Sequence, residues 1–243
     1  VPVLYQPDPH CRGGAAGHLP ARPRLPGRQA GKRSLRRCSS RWCSTALPPP
    51  LSRSCSSARG SFLLGLWFEE GSVAYNAIMY FGIVAFSEEG AKYFLLRRRT
   101  WHSAAFNCQF DGVVYAVFVA LGFALWENIS YVLMYGLSTA LVRAVTAVPG
   151  HACFGVFMGV WYGLAKRLHG QGRDSASKLC RVLALLLPAL LHGCYDFIAS
   201  IESVHYGWLF AAFVAILFVL AFILVRRQAR HDRYINNYDA EYL

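Results

Sequence analysis

Gly207 to Val225 reads Gly-Trp-Leu-Phe-Ala-Ala-Phe-Val-Ala-Ile-Leu-Phe-Val-Leu-Ala-Phe-Ile-Leu-Val, a run without a single charged residue. A helix needs about 20 predominantly apolar residues to cross a bilayer, so this stretch reads as a transmembrane span. Working outward from it, comparable runs lie near residues 73–96, 111–135, 142–165 and 181–200, giving about five spans with 207–225. The third is the least regular at its start, where Arg143 lies inside it and Pro149 and Gly150 are potential breaks. Composition agrees with this reading. Hydrophobic residues make up 55% of the 243-residue chain and charged residues 16%, against roughly 25% charged in soluble domains. Mean hydropathy is +0.30. These values exclude a water-facing globule and a wholly disordered chain, and the lack of alternating strand-like segments argues against an outer-membrane barrel. The expected fold is an all-α, polytopic transmembrane helix bundle.

The net charge of +12 is unevenly placed. Residues 1–60 carry eleven Lys/Arg against the single acid Asp8, a net +10, and nine of the eleven prolines. This composition reads as a disordered, solvated basic segment or a stretch of non-native sequence, followed by a transmembrane domain over 61–228 and a short cytoplasmic tail over 229–243. The segment begins at Val1 and has no signal-peptide pattern. A basic tail can attract nucleic acid or anionic lipid, but no nucleic-acid partner is expected; the lipid bilayer is. Cys11, Cys38, Cys43 and Cys55 lack the paired C-x-x-C spacing of a zinc knuckle. Cys108, Cys153, Cys180 and Cys194 lie in or beside apolar runs, as small hydrophobes do.

Loop charge sets an orientation. Arg97, Arg98 and Arg99 follow the first span, Lys166, Arg167, Arg173 and Lys178 follow the third, and Arg226, Arg227, Arg230 and Arg233 follow the last. These are alternate loops, so all three can face the cytoplasm as the positive-inside bias requires. The opposite loops hold only Glu69, Glu70, Arg143 and Glu202. This orientation puts the +10 segment outside, which conflicts with the same bias and suggests a missing N-terminal span or hairpin, or a non-native start. The run Phe62 to Phe68 is too short to span alone.

Ionisable side chains at bilayer depth are costly and are functional candidates by default. The first span ends Phe86-Ser87-Glu88-Glu89-Gly90-Ala91-Lys92, the second contains Phe123 through Glu127 and Asn128, the third holds His151, and the fourth holds His192 and Asp196. Residues four apart share a helix face, which pairs Glu88 with Lys92 and His192 with Asp196. At 1.5 Å per residue, Glu88 lies roughly 5 Å to the cytoplasmic side of its span's centre, Glu127 roughly 6 Å to the other side and His192 near the middle, so one shared polar layer is possible. The bland alternatives are an ion pair that only locks helices together and a satisfied core histidine. Asn128-Ile129-Ser130 matches a glycosylation acceptor but lies inside a span. Asp111 and Asp174 belong to loops or span ends; His102, His169, His205 and His231 also fall there and read as solvated. Gly155, Gly159 and Gly163 follow His151 at intervals of four, a stripe that suits close helix packing.

The four pieces Glu88-Glu89-x-x-Lys92, Phe123-x-x-x-Glu127-Asn128, His151 with its glycine stripe, and His192-Gly193-x-x-Asp196, in that order and each in its own span, resemble the PrsW family of intramembrane proteases. That family belongs to the larger group of CAAX-processing and bacteriocin-processing membrane endopeptidases. The likeness covers about residues 75–200. It implies hydrolysis of a peptide bond in or near the membrane, by water activated at a buried carboxylate. Glu88 is assigned as the base, with Glu89 assisting and Lys92 orienting or neutralising. His192 supplies oxyanion stabilisation, and Asp196 fixes its tautomer. Glu127 and His151 complete the site as second acid and as proton carrier or ligand.

Two chemistries fit this likeness. Glu88, His151 and His192 can form a three-ligand zinc site with an open position. H-E-x-x-H is absent, however, and metal-independent glutamate catalysis is the preferred reading. The implied substrate is a membrane-anchored protein, such as a single-span anti-sigma factor cleaved in regulated proteolysis, and the implied location is a bacterial cytoplasmic membrane. The competing functions are a proton-coupled transporter or channel and a catalytically inactive membrane scaffold. No internal repeat supports the former, and the complete set of polar groups argues against the latter.

Overall fold

A computed structural model describes residues 60–201 and 203–235. The expected disordered segment falls almost wholly outside these residues, as does the end of the tail. The described residues are helical, with no strand among them, and the only pairing of extended backbone is an isolated bridge between Cys108 and Tyr234.

Residues 73–100 form one uninterrupted helical rod in three sections: α1 (Val73–Ala77), a π-helical stretch (Ile78–Ala85) and α2 (Phe86–Thr100). Ser72 caps its start by accepting from the Tyr75 backbone N–H at 3.2 Å. Then follow α3 (Asp111–Tyr135), α4 (Leu137–Val145), α5 (Ala147–Gly170), α6 (Asp174–Ala199) and α7 (Val204–Arg230). Four stretches have the length and apolarity to cross a membrane: Asp111–Tyr135, Leu137–Gly170, Asp174–Ala199 and Val204–Arg230. The rod 73–100 is long enough to be the fifth, and its second half carries Glu88, Glu89, Lys92 and Arg97 to Arg99.

The third span departs from its expected limits of 142–165. Its helix runs Ala147–Gly170, and the break falls at Thr146, before Pro149 rather than at it. Pro149 stands in the first turn of α5, where a missing N–H costs nothing because no earlier carbonyl in the helix needs it. Arg143 therefore belongs to the separate helix α4, which leaves α3 through Gly136 at φ +84°, a left-handed conformation that glycine adopts without steric cost.

The glycine stripe explains the tightest packing, that of α5 on α3. A Cβ on Gly159 would sit 2.6 Å from the Gly112 carbonyl oxygen, and one on Gly155 would sit 2.9 Å from the Ala120 Cβ. These are distances that no side chain could occupy without moving a backbone. Where lipid faces the protein there is no hydrophobic drive between helices, so dispersion contacts between closely approaching backbones hold them together. One apolar cluster, containing Leu96, Trp101, Phe106, Met158 and Tyr162, fills the end of the bundle where the basic loops meet. A second, with Val113, Phe154, Tyr195 and Leu217, joins α3, α5, α6 and α7.

The basic end is also tied by polar contacts. The backbone of 233–235 bonds to the α2–α3 loop, Gln109 N–H donating to Arg233 O and Ile235 N–H to Asn107 O, both at 2.9 Å. The buried Asp232 accepts from the Phe110 N–H at 2.9 Å, and Lys166 donates to the Trp101 carbonyl at 2.7 Å. The first described residues of the expected tail are thus packed structure. Arg97 to Arg99, Lys166 and Arg167, and Arg226 to Arg233 come to the same end of the bundle, as alternate loops should.

Candidate active site

The π-helical stretch lies directly upstream of Glu88 and Glu89. Widening the turn there changes the angular register of everything that follows, and π segments recur at functional sites for that reason. Phe81 of this stretch packs against Gly193, which has no Cβ to obstruct it, so the rod approaches α6 one residue from His192. On α6 itself, Pro188 lies four residues before His192 and removes one N–H from the helix ladder.

These approaches bring Glu88, Glu89, Lys92, His151 and His192 into one buried layer. Glu89 is at its centre. Its Oε1 accepts from Lys92 Nζ at 2.6 Å and from His192 Nδ1 at 2.9 Å. The Lys92 ammonium also donates to His151 Nδ1 at 2.9 Å and lies 3.9 Å from Glu88 Oε2. Lys92 therefore pairs more closely at i−3 than with Glu88 at i−4, although both carboxylates lie within one helical turn. On the far side of His151, Nε2 meets Glu127 Oε2 at 2.9 Å. His192 Nε2 lies 3.4 Å from Asp196 Oδ2 and 4.0 Å from Glu88 Oε2. Thus Glu89 holds Nδ1 of His192, while Asp196 stands on its Nε2 side.

Two neighbours fix the rings. Phe154 stacks on His192 with centroids 4.9 Å apart and planes 18° from parallel, and the His151 and His192 rings meet edge-on at 5.2 Å. Phe154 is one turn from His151 on α5, so spacing alone could have marked it as a neighbour of the site. Arg143 carries no comparable signal. From α4 its Nη2 reaches Glu127 Oε1 at 2.8 Å while the guanidinium lies 3.6 Å above the Tyr131 ring. Asn128 of α3 donates to the Ala140 carbonyl at 3.3 Å and ties the same short helix in place. A polar chain thus runs from Arg143 through Glu127, His151 and Lys92 to Glu89 and His192. Exposure falls along it, from 20% at Arg143 and 11% at Glu127 to 1% at Lys92 and none at Glu89. His102, His169, His205 and His231 are exposed and away from this layer.

Glu88, His151 and His192 each offer a ligand atom within 4.8 Å of the others'. Two imidazoles and a carboxylate, all buried, are the donor set of many catalytic zinc sites. His192 also has the supporting carboxylate such ligands use, since its Nδ1 is held by Glu89. By donor chemistry and burial these residues fit a divalent metal.

Comparison with known proteins agrees with the geometry. Protease PrsW of Halalkalibacterium halodurans is 35% identical over 164 residues, 68% of this chain and 74% of that protein. Protease PrsW of Bacillus subtilis is 38% identical over 151 residues, 62% of this chain and 65% of its own length. Protease PrsW of Clostridioides difficile is 31% identical over 165 residues, 65% of this chain and 64% of that protein. No solved structure matches. A family model described as PrsW family intramembrane metalloprotease matches residues 56–225, a stretch that includes every residue of the polar layer. On that match, and on relatives that share most of its length, this multi-pass membrane protein belongs to the PrsW family of intramembrane proteases.

Proposed function

We propose that the chain cleaves a membrane-anchored protein by adding water to a peptide bond, with the Glu88 carboxylate as general base. The observation that carries this reading is the spacing around Glu88. Its Oε2 stands 4.0 Å from His192 Nε2 and 3.9 Å from Lys92 Nζ, so this buried carboxylate faces both side chains at ion-pair distance. Glu89 is committed to Lys92 and His192 at hydrogen-bond distance and acts as their positioning group, and Glu88, farther from both, is the carboxylate assigned to the nucleophile.

In the reaction, Glu88 takes a proton from water as the oxygen bonds to the carbonyl carbon. The C=O electron pair moves to the oxygen, and donors aimed at that developing charge lower the barrier in a buried site. Lys92 Nζ and a doubly protonated His192 are the available donors. Glu88 then returns the proton to the departing amide nitrogen, so that an amine and a carboxylate leave. Asp196 faces His192 Nε2 and balances the charge of the imidazolium. Glu127, anchored by Arg143, orients His151. Glu88, His151 and His192 would also hold a divalent metal, which would supply Lewis-acid activation of water and carbonyl in place of the free carboxylate base.

The layer lies about 10 Å from the end of the bundle opposite the basic loops, counting seven residues from His192 to the end of α6 at 1.5 Å each. With the basic loops in the cytoplasm, α6 places the layer toward the outer side while Glu88 lies nine residues, about 14 Å, from Arg97 on its own rod, so cleavage falls inside the membrane. A single-span protein reaches that depth with its backbone only if its helix unwinds locally, so substrates should carry helix-weakening residues there. A single-span anti-sigma factor of a bacterial cytoplasmic membrane is one such substrate.

The test is incubation of the protein, reconstituted in liposomes, with a panel of single-span peptides bearing a Gly or Pro at successive depths, products being read by mass spectrometry and proton flux recorded alongside. Cleavage confined to peptides whose Gly or Pro lies inside the membrane, without flux, supports the reading. Flux without products overturns it in favour of a proton-coupled transporter.

A further inference from the structure

An imidazole nitrogen has one in-plane lone pair, which can accept a hydrogen bond or bind a metal but not both. The Lys92 ammonium has only donors, so at 2.9 Å the His151 Nδ1 must be the acceptor. The ring proton then sits on Nε2, where Glu127 Oε2 receives it at 2.9 Å. Both nitrogens of His151 are committed in this arrangement. Binding a metal through Nδ1 takes the lone pair from Lys92. Binding through Nε2 moves the ring proton to Nδ1 and sets N–H against the ammonium, donor facing donor. Either route requires Lys92 to withdraw.

We infer that Lys92 and a divalent cation exclude one another at His151, and that Lys92 is the resident cation that sets how strongly the site takes metal. The ammonium already stands where a positive charge is wanted, 2.6 Å from Glu89 Oε1 and 3.9 Å from Glu88 Oε2. Metal entry therefore exchanges one cation for another. This deepens the proposed reading of the same site, but it concerns metal occupancy and stands or falls whether or not peptides are cleaved.

The experiment is a Co²⁺ titration of the full chain in detergent, followed by visible ligand-field absorption and checked by equilibrium dialysis of Zn²⁺. Wild type is compared with Lys92→Met, Glu89→Gln with Lys92→Met/Glu89→Gln, which removes both members of the buried pair, and Lys92→Met with Lys92→Met/His151→Ala. Loss of a charged hydrogen bond to the ligand corresponds to about tenfold or more in affinity. Lys92→Met is expected to bind at least about tenfold more tightly than wild type, Lys92→Met/Glu89→Gln at least about tenfold more tightly than Glu89→Gln, which has lost the same support of His192, and the added His151→Ala to abolish the gain. Binding equal to or weaker than that of the matched parent in the folded lysine variants, including no binding at all, overturns the proposal, as does a gain that survives removal of His151.

Discussion

His192 Nδ1 lies 2.9 Å from Glu89 Oε1, a contact that closes 103 residues of chain inside the membrane domain. The same oxygen accepts from Lys92, so one carboxylate oxygen holds α2 to α6 and sets the orientation of two cationic side chains. Removing one partner of a buried ion pair costs about 3–5 kcal/mol, because it strands the other. Glu89→Ala should lower the unfolding midpoint in detergent markedly, and Glu89→Gln, which keeps an oxygen acceptor, should lower it less. Equal midpoints for Glu89→Ala and wild type would contradict the assignment of Glu89 as the organising group.

Arg143 is expected to act through Glu127. Arg143→Ala should reduce kcat by about tenfold, the lower end of losses seen when groups that orient an active ligand are removed, with little effect on KM. Arg143→Lys should recover part of the loss but not all, since an ammonium lacks the planar fork and stacks poorly on Tyr131. Steady-state kinetics on a cleaved single-span peptide check both points.

Two glycine substitutions should differ in sign. Gly159→Ala forces a Cβ against the backbone of α3 and should cost about 1–3 kcal/mol, as overpacking does. Gly122→Ala, on α3 with nothing within 4 Å of the added carbon, should be neutral or stabilising by up to about 1 kcal/mol through helix propensity. Thermal denaturation of the two variants against wild type reads the difference directly.

Asp232→Ala should loosen the basic end. Its Oδ1 accepts from the Phe110 and Arg233 N–H groups at 2.9 Å, and leaving buried donors unmet costs about 1–3 kcal/mol. Limited proteolysis should show faster cutting in residues 101–110 than in wild type, without a change at the α6–α7 connection.

Much of this arrangement was readable from residue types. The second span was expected at 111–135 and its helix is Asp111–Tyr135, because a long apolar run bounded by Asp111 and Gly136 has few alternatives in a bilayer. Every polar residue singled out in four separate spans lies in or beside one layer, since buried charges must find partners. Other features depend on tertiary packing. The break at Thr146 has no residue signature as strong as the proline three positions later. The π-helical stretch, which carries Phe81 to Gly193, has no residue signature of its own. The choice of Glu89 over Glu88 by Lys92 rests on side-chain rotamers, which spacing does not decide. Arg143 looked like a flaw in a span because its partner Glu127 lies on another helix. The ordering of residues 231–235 follows from hydrogen bonds to a loop more than 120 residues earlier.

The central claim is that Glu88 activates the water. Its most direct test is the single-turnover cleavage rate of one single-span substrate by wild type and Glu88→Gln, with substrate binding measured in parallel by photocrosslinking. Loss of a general base costs about 10²–10⁴-fold in rate, so the account predicts a fall of at least about 100-fold with binding unchanged. A Glu88→Gln protein that binds and cleaves at the wild-type rate would contradict it.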